Sequence, residues 1–192
     1  GQVSYNLDTR MVGLEMSKKL INKQHKQNDL ALIEGVMGLF DGRSGIGEEG
    51  SSADLARGLS CPVILVVNAK GMSGSIVPLV SGFCDYANKM DVKIPGIIAN
   101  QVGSEHHAAL LKNFLADHSM PPLLAWMEKN VPALPERHLG LTMPESIDPP
   151  NFQAFFHVEK QALFQAFSGW KPGDLLQNNP LKLLQGKVIA IA

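Results

Sequence analysis

The 192 residues of this chain, 45% of them apolar, can bury a hydrophobic core, and the composition is that of an ordinary globular protein. Its 17 basic and 18 acidic residues nearly cancel, and no basic cluster occurs, so neither nucleic acid nor an anionic membrane surface is an expected partner. No apolar stretch reaches the roughly 20 residues of a membrane helix and no signal core is present, so the predicted location is the cytoplasm.

The first half of the chain predicts two helix–strand pairs. Apolar residues at helical spacing predict an amphipathic helix over 11–27, which leads into a buried strand at 30–33. A glycine-rich segment and a short helix to about Leu59 follow. Residues 62–67 (PVILVV) predict a second buried strand because they are rich in β-branched side chains.

The same alternation continues into the second half. Ser73 begins a predicted helix, 94–99 predicts a third strand, and Ser104 caps a further helix that precedes a weaker strand at 122–126. Strands that alternate with helices of this length are typical of right-handed βαβ units. We therefore predict an α/β fold with a mostly parallel sheet and helices on both faces.

The C-terminal third departs from this alternation. Residues 131–150 hold five of the twelve prolines and predict an extended loop, whereas 152–167 predict one amphipathic helix with its phenylalanines inward. Residues 169–186 have the composition of a linker. The last segment, 187–192 (KVIAIA), predicts a hydrophobic strand without a partner, and we interpret the chain as a fragment.

The segment 34–42 (EGVMGLFDG) is the strongest functional signal. Glu34 follows a predicted parallel strand, and ligands bind at the carboxyl ends of strands in open α/β sheets. Gly35 and the other glycines let the backbone approach a bound group. Glu34 and Asp41 are therefore predicted to be two acids beside one pocket, although an acid after a strand is also typical of a solvated residue or a helix cap.

Two other kinds of site are not predicted. The phosphate-binding pattern GxxxxGK[ST] does not occur, so no complete nucleotide site is encoded here. The six histidines lack the spacing of metal ligands, since His106 and His107 are adjacent on a helix and point apart. Cys61 and Cys84 are predicted to be buried free thiols.

Several segments, in this order, resemble cobyrinic acid a,c-diamide synthases. The resemblance covers almost the whole chain, and two of the segments, 34–42 and 134–141, are specific to that family. The segments are SYNLD at 4–8, EGVMGLFDG at 34–42, ADLAR at 53–57, PVILVV at 62–67, GIIAN at 96–100, GSEH at 103–106 and LPERHLGL at 134–141.

The resemblance implies a domain organisation. In that family, a P-loop NTPase domain related to dethiobiotin synthetase precedes a class I glutamine amidotransferase domain. Residues 1–168 would be a partial synthetase domain that lacks its first strand and Walker A loop, 169–186 a linker, and 187–192 the start of a truncated amidotransferase domain. The fragment alone is then expected to be inactive, and a homodimer is an expectation from the resemblance only.

The resemblance also implies a reaction, the amidation of the a and c carboxylates of the corrin precursor cobyrinate by ATP and glutamine or ammonia. Ammonia does not displace hydroxide from a carboxylate, so ATP must first convert the carboxylate into an acyl phosphate. Mg²⁺ in phosphoryl transfer typically takes one or two protein carboxylates. By resemblance Glu34 is that magnesium ligand, Asp41 acts in substrate activation, and Gly35 lies beside the cofactor.

Four further residues are implied in binding. Asn100 would recognise adenine, because an amide can donate and accept at once. Ser51 would bind a substrate anion at a helix start, and Arg137 and His138 would pair with the carboxylate arms of the corrin. Three of the four also have a structural interpretation: Asn100 can shape a turn, Ser51 can cap a helix, and Arg137 can form a salt bridge within a loop.

Two alternatives stay open at this level. The first is an a,c-diamide synthase for another macrocycle, either hydrogenobyrinate or nickel-sirohydrochlorin, because the sequence does not choose among tetrapyrroles. The second is a non-catalytic α/β binding module, in which the sheet is a scaffold and the glycine-rich segment contacts a partner.

Overall fold

A computed structural model defines the architecture and describes residues 5, 7, 9–25, 30–42, 47–132, 136–137, 140–141, 151–168 and 187–191. Its helices are α1 (Thr9–His25), α2 (Ser52–Gly58), α3 (Ile76–Lys89), α4 (Glu105–Asp117) and α5 (Lys160–Ser168). Its strands are β1 (Leu30–Glu34), β2 (Val63–Asn68), β3 (Gly96–Val102), β4 (Leu123–Glu128), β5 (Glu136–Arg137), β6 (Gly140–Leu141), β7 (Phe156–Val158) and β8 (Lys187–Ile191).

Six of these strands form one sheet in the order β1-β8-β2-β3-β4-β7. The first five run parallel to their neighbours, and β7 pairs antiparallel with β4 at the edge. The predicted α/β class with a mostly parallel sheet is therefore confirmed. Because the five strands are parallel, their carboxyl ends meet at one edge of the sheet.

Two helical layers cover the sheet. Side chains alternate along β2, so Val63 and Leu65 pack in the larger core with α1 to α4, whereas Ile64 packs on the opposite face beneath α5. Phe167 of α5 is fully buried against that second face. None of the helices in the described ranges has the length and apolar composition needed to cross a bilayer.

The pairing of β8 differs from the prediction. Residues 187–192 were expected to be a strand without a partner, but Lys187–Ile191 lies between β1 and β2 and pairs parallel with both. Local sequence patterns identify a strand but carry no information about a partner far away in the chain. The assignment of 169–186 to a linker, and of 187–192 to a second domain, stays a prediction.

Two predictions for the C-terminal third are wrong. The predicted loop contains a small antiparallel hairpin of β5 and β6. The single helix predicted over 152–167 is instead a 3₁₀ turn (Phe152–Phe155), then β7, then α5. His157 of β7 stacks on Trp126 of β4 with ring centroids 3.8 Å apart and lies 2.9 Å from a Glu128 carboxylate oxygen. These contacts hold 156–158 on the sheet, and helical periodicity cannot reveal them.

Candidate functional site

Three polar residues lie on parallel strands of the sheet, toward its carboxyl edge. Glu34 is the last residue of β1 and Asn68 the last residue of β2, while Asn100 lies within β3 opposite Asn68. This is the edge at which ligands bind in open α/β sheets. The predicted position of Glu34 at a strand's carboxyl end is confirmed, whereas β3 continues two residues beyond Asn100, to Val102.

Glu34 has an exposed side chain. Ile33 is buried in the core with α1 to α4, so the alternation of β1 directs Leu32 and Glu34 toward the opposite face of the sheet. Leu32 is 61% exposed there. Within the part of the chain that the structure describes, the Glu34 side chain makes no hydrogen bond and no ion pair. Its carboxylate is therefore available to a ligand.

The strand register separates Glu34 from the asparagines. Glu34 is level with Ile191 of β8, and Ile191 is level with Ile64 of β2, so Asn68 lies four residues further along its strand than the point level with Glu34. With β8 and β2 between β1 and β3, the lateral distance from Glu34 to Asn100 is about 14 Å. The structure thus brings Asn68 and Asn100 together and places Glu34 at a distance from both.

Asp41 closes a turn in the loop after β1. Its backbone N–H donates to the Gly38 carbonyl oxygen at 3.1 Å, and its carboxylate Oδ2 accepts from the Gly38 N–H at 3.0 Å. A Cβ on Gly38 would overlap the Asp41 carboxylate, so a larger residue at position 38 would displace that side chain. The observed hydrogen bonds give Asp41 a structural role. Its role toward a substrate stays a prediction.

Ser51 is the N-cap of α2. Its hydroxyl accepts from the Asp54 N–H at 3.1 Å, and the residue is only 2% exposed. Asp54 in turn accepts from the Gly50 N–H and pairs with Arg57 at 2.6 Å. Helix capping, the structural interpretation of Ser51, is therefore what the described contacts show.

The asparagine pair presents amide N–H groups at the sheet edge. Asn68 Oδ1 accepts from the Lys70 N–H at 3.1 Å, and Asn100 Oδ1 accepts from the Gln101 N–H at 2.8 Å. Gln101 has a left-handed backbone, with φ of 59°. Among the described residues neither side-chain NH₂ group has an acceptor. Both amides can therefore donate to a ligand that carries hydrogen-bond acceptors.

Comparisons with known proteins identify the family, although no family model matches the chain. The chain is 42% identical over 137 residues, 71% of its length, to a cobyrinate a,c-diamide synthase of Syntrophotalea carbinolica, covering 29% of that protein. It is 42% identical over 96% of its length to the cobyrinate a,c-diamide synthase of Caldanaerobacter subterraneus, covering 42% of it. A hydrogenobyrinate a,c-diamide synthase of Brucella anthropi is 38% identical over 98% of the chain, which covers 44% of that relative. The chain belongs to the cobyrinate a,c-diamide synthase family.

This member of the a,c-diamide synthase family spans less than half the length of these relatives, between 29% and 44%. The family motif at 134–141 contains two of the predicted substrate-binding residues, Arg137 and His138. Arg137 lies in β5, but its side chain is outside the described residues, and so is the whole of His138. Gly35 follows β1 directly and is half-buried.

Asn68 was missed by sequence reasoning in this a,c-diamide synthase segment. The signal available was the parallel between two strand ends, VVN at 66–68 and IAN at 98–100. The structure turns that parallel into a register pair, Asn68 opposite Asn100. Polar residues at the same place in two adjacent parallel strands are therefore best assigned together.

His107 was also missed. Its Nδ1 accepts from the Gly103 N–H at 3.0 Å, so the proton is on Nε2, which donates to the Met72 carbonyl oxygen at 2.6 Å. His107 thereby joins the loop after β3 to the loop after β2. Both loops flank the asparagine pair, so His107 fixes their spacing at this edge of the family member's sheet.

Proposed function

We propose that this chain is part of an ATP-dependent cobyrinate a,c-diamide synthase and forms the part of the enzyme that activates the carboxylates of the corrin. Family membership supplies the reaction class. One observation carries the assignment of the site: the Glu34 carboxylate is exposed at the carboxyl end of a parallel strand and has no partner among the residues that the structure describes. The fold assigned in this proposal is that of a P-loop NTPase related to dethiobiotin synthetase, without its first strand and Walker A loop.

The donor groups at this edge fit Mg²⁺ and ATP. No cluster of three or more His, Cys, Asp or Glu side chains in the described ranges could hold a metal ion alone. Mg²⁺ bound with ATP needs only one or two protein carboxylates, because phosphate oxygens and waters complete its shell. Glu34 would supply that carboxylate. ATP would supply the phosphoryl group that makes a corrin carboxylate reactive toward ammonia.

The other residues take roles that follow from their chemistry. Asn100, with Asn68 beside it, would donate hydrogen bonds to the acceptor nitrogens of adenine. Gly35 would let the backbone approach the nucleotide, and Asp41 would act on the carboxylate under attack. Ser51 would bind a substrate anion only in addition to its capping contact.

The corrin contacts are assigned to the second family motif. Arg137 and His138 would pair with the carboxylate arms of the macrocycle, since guanidinium and carboxylate form paired hydrogen bonds. Ammonia would come from glutamine in the complete enzyme. A homodimer and a cytoplasmic location belong to the same proposal.

Replacing Glu34 tests the site. In a full-length synthase that contains this chain, Glu34→Gln removes the charge and keeps the shape, so we expect ATP-dependent amide formation from cobyrinate to fall at least about 100-fold, the loss of more than ~2.7 kcal/mol of transition-state stabilisation. The measurement is amide product by mass spectrometry with glutamine or ammonia as donor. Glu15→Gln on α1 is the matched control and should leave the rate unchanged. Equal rates for Glu34→Gln and the control would remove Glu34 from this role.

A second candidate substrate is supported by the names of relatives. Two of the similar proteins, from Streptomyces coelicolor and Brucella anthropi, are hydrogenobyrinate a,c-diamide synthases. Assays of both macrocycles under the same conditions would decide between them, because the preferred substrate has the larger kcat/KM. Amidation of neither, in a folded full-length enzyme with ATP and glutamine, would contradict the proposed function.

A further inference from the structure

The loop that carries Asp41 is attached to helix α3 through aromatic contacts. Phe40 stacks on Phe83 with ring centroids 5.6 Å apart and meets the edge of Tyr86 at 4.8 Å. The Tyr86 hydroxyl donates to the Glu48 carboxylate. We call Phe40, Phe83, Tyr86 and Glu48 the Phe40 cluster. The cluster joins the two arms of the loop between β1 and α2. Phe40 lies on the first arm, directly before Asp41, and Glu48 lies on the second arm, which leads into α2.

Backbone contacts close the same loop at its base. A Cβ on Gly42 would overlap the Gly47 carbonyl oxygen, so the two arms touch at this point. The Leu39 carbonyl oxygen accepts from the Ala53 N–H at 2.9 Å, and Leu39 is buried. The turn from Gly38 to Asp41 therefore has fixed neighbours on two sides, α2 through Leu39 and α3 through Phe40.

The charges around Tyr86 favour its hydrogen bond. The bond from Tyr86 lowers the pKa of the Glu48 carboxyl, and the same bond raises the pKa of the Tyr86 hydroxyl. Lys89 lies over the Tyr86 ring, 5.9 Å from its centroid. At neutral pH, Glu48 is therefore ionised and Tyr86 is protonated, as the hydrogen bond between them requires.

We propose that Tyr86 is a positioning residue of the synthase site, which holds the Asp41 carboxylate in place through Phe40 and Glu48. This inference rests on the proposed function, because it assigns Tyr86 a role in the reaction of Asp41. Tyr86 does not touch the reacting atoms. It acts on Asp41 through the adjacent Phe40 and through the closing arm that carries Glu48.

The exposure of Tyr86 distinguishes a role in positioning Asp41 from a role in the stability of the whole fold. Its side chain is 41% exposed on the outer part of α3, so removing it leaves no cavity in the main core. Misplacement of a catalytic group by about 1 Å can nevertheless cost about 100-fold in rate. A residue with a small effect on stability and a large effect on turnover is therefore what the geometry predicts.

The first test measures the loop directly and needs no activity. In Tyr86→Ala, hydrogen exchange at the Asp41 amide, which donates to Gly38, should become about tenfold faster, because the turn loses its support from α3. Tyr86→Phe keeps the ring against Phe40 and should lie between Tyr86→Ala and the native protein. Leu79→Ala, also a partly exposed site on α3, is the control and should leave that amide unchanged.

The second test uses a full-length synthase containing the chain. Tyr86→Ala should lower kcat about 10- to 100-fold with little change in the KM for ATP, and Tyr86→Phe should recover part of the loss. Unchanged exchange at Asp41 in a folded Tyr86→Ala protein would overturn the positioning role. An equal fall in kcat in Tyr86→Ala and Leu79→Ala, at equal stability of the two variants, would also overturn the positioning role. If the native enzyme forms no amide, the proposed function fails, whereas the exchange result still decides the link between Tyr86 and the loop.

Discussion

Glu34, Asp41 and Glu48 are three acids between the end of β1 and the start of α2, and the structure gives each carboxylate a different environment. Glu34 is exposed without a partner in the described ranges, Asp41 accepts from the Gly38 N–H at 3.0 Å, and Glu48 accepts from Tyr86. A carboxylate already engaged by the protein is less free to bind a cation. Of the three, Glu34 is therefore the carboxylate that best fits the proposed Mg²⁺ site.

The Tyr86–Glu48 pair predicts a pH-dependent contribution to stability. The folded pKa of Glu48 lies below its ordinary value of 4.5, so its contribution is complete above that value and is lost as the pH falls through the lower folded pKa. The difference in urea midpoint between the native protein and Tyr86→Phe should therefore be present at neutral pH and shrink in acid. In a Glu48→Gln background this difference should not vary with acid pH. A difference that persists unchanged in strong acid would show that the hydroxyl has no link to Glu48.

Cys61 and Cys84 show how burial controls a side chain's chemistry. Both are free thiols, and burial raises the pKa of Cys61 to about 12 and also raises that of Cys84. Sequence reasoning predicted two buried free thiols, which is confirmed for Cys61, while Cys84 is half-buried. Neither is an activated nucleophile, because the thiolate is the reactive form.

At the scale of elements, two helix starts follow the predicted serine caps, whereas the helix predicted to begin at Ser73 begins at Ile76 without a side-chain cap. Ser104 caps α4 by accepting from the His107 N–H at 3.1 Å, as its place before a helical pattern predicted. Ser51 caps α2 in the same way. A cap involves residues three positions apart, so the sequence contains both partners. The turn at Asp41 is equally local, yet the hydrogen bond that the Asp41 carboxylate accepts from the Gly38 N–H was not predicted.

Two glycines in neighbouring elements should respond in opposite directions to alanine. A Cβ on Gly96, at the start of β3, would overlap the Leu124 side chain, so Gly96→Ala should cost about 1–3 kcal/mol. A Cβ on Gly82 of α3 would have no neighbouring atom within 4 Å, so Gly82→Ala should stabilise by up to about 1 kcal/mol. Urea denaturation followed by circular dichroism measures both. Midpoints that shift in the same direction would contradict the packing around Gly96.

At the scale of the whole molecule, α5 decides how the second face of the sheet is covered. Phe167 is fully buried with Ile64 and Leu124, whereas Phe164 of the same helix is 53% exposed. Phe167→Ala should therefore destabilise the chain by about 3–5 kcal/mol, and Phe164→Ala by less than about 0.5 kcal/mol. Thermal or urea unfolding compares the two. Equal losses would mean that α5 does not pack on the sheet through Phe167.

Much of the fold and part of the site follow from the residues alone. The order of helices and strands from α1 to β4, the parallel sheet, and the place of Glu34 at a strand end were predicted, because periodicity, caps and β-branched runs are local properties. The family was also predicted, since the segment at 34–42 combines an acid, three glycines and a second acid in a pattern specific to it.

Tertiary structure decided the rest. The insertion of β8 between β1 and β2, the strand at 156–158, the pairing of Asn68 with Asn100, and the attachment of Phe40 to Tyr86 all join residues that are distant in the chain. Such contacts depend on which surfaces meet once the sheet has formed, and no local pattern encodes that choice. Local patterns in the sequence are enough to predict the elements from α1 to β4 and the acid that ends β1, whereas packing between distant elements sets the neighbours of that acid and of the loop that follows it.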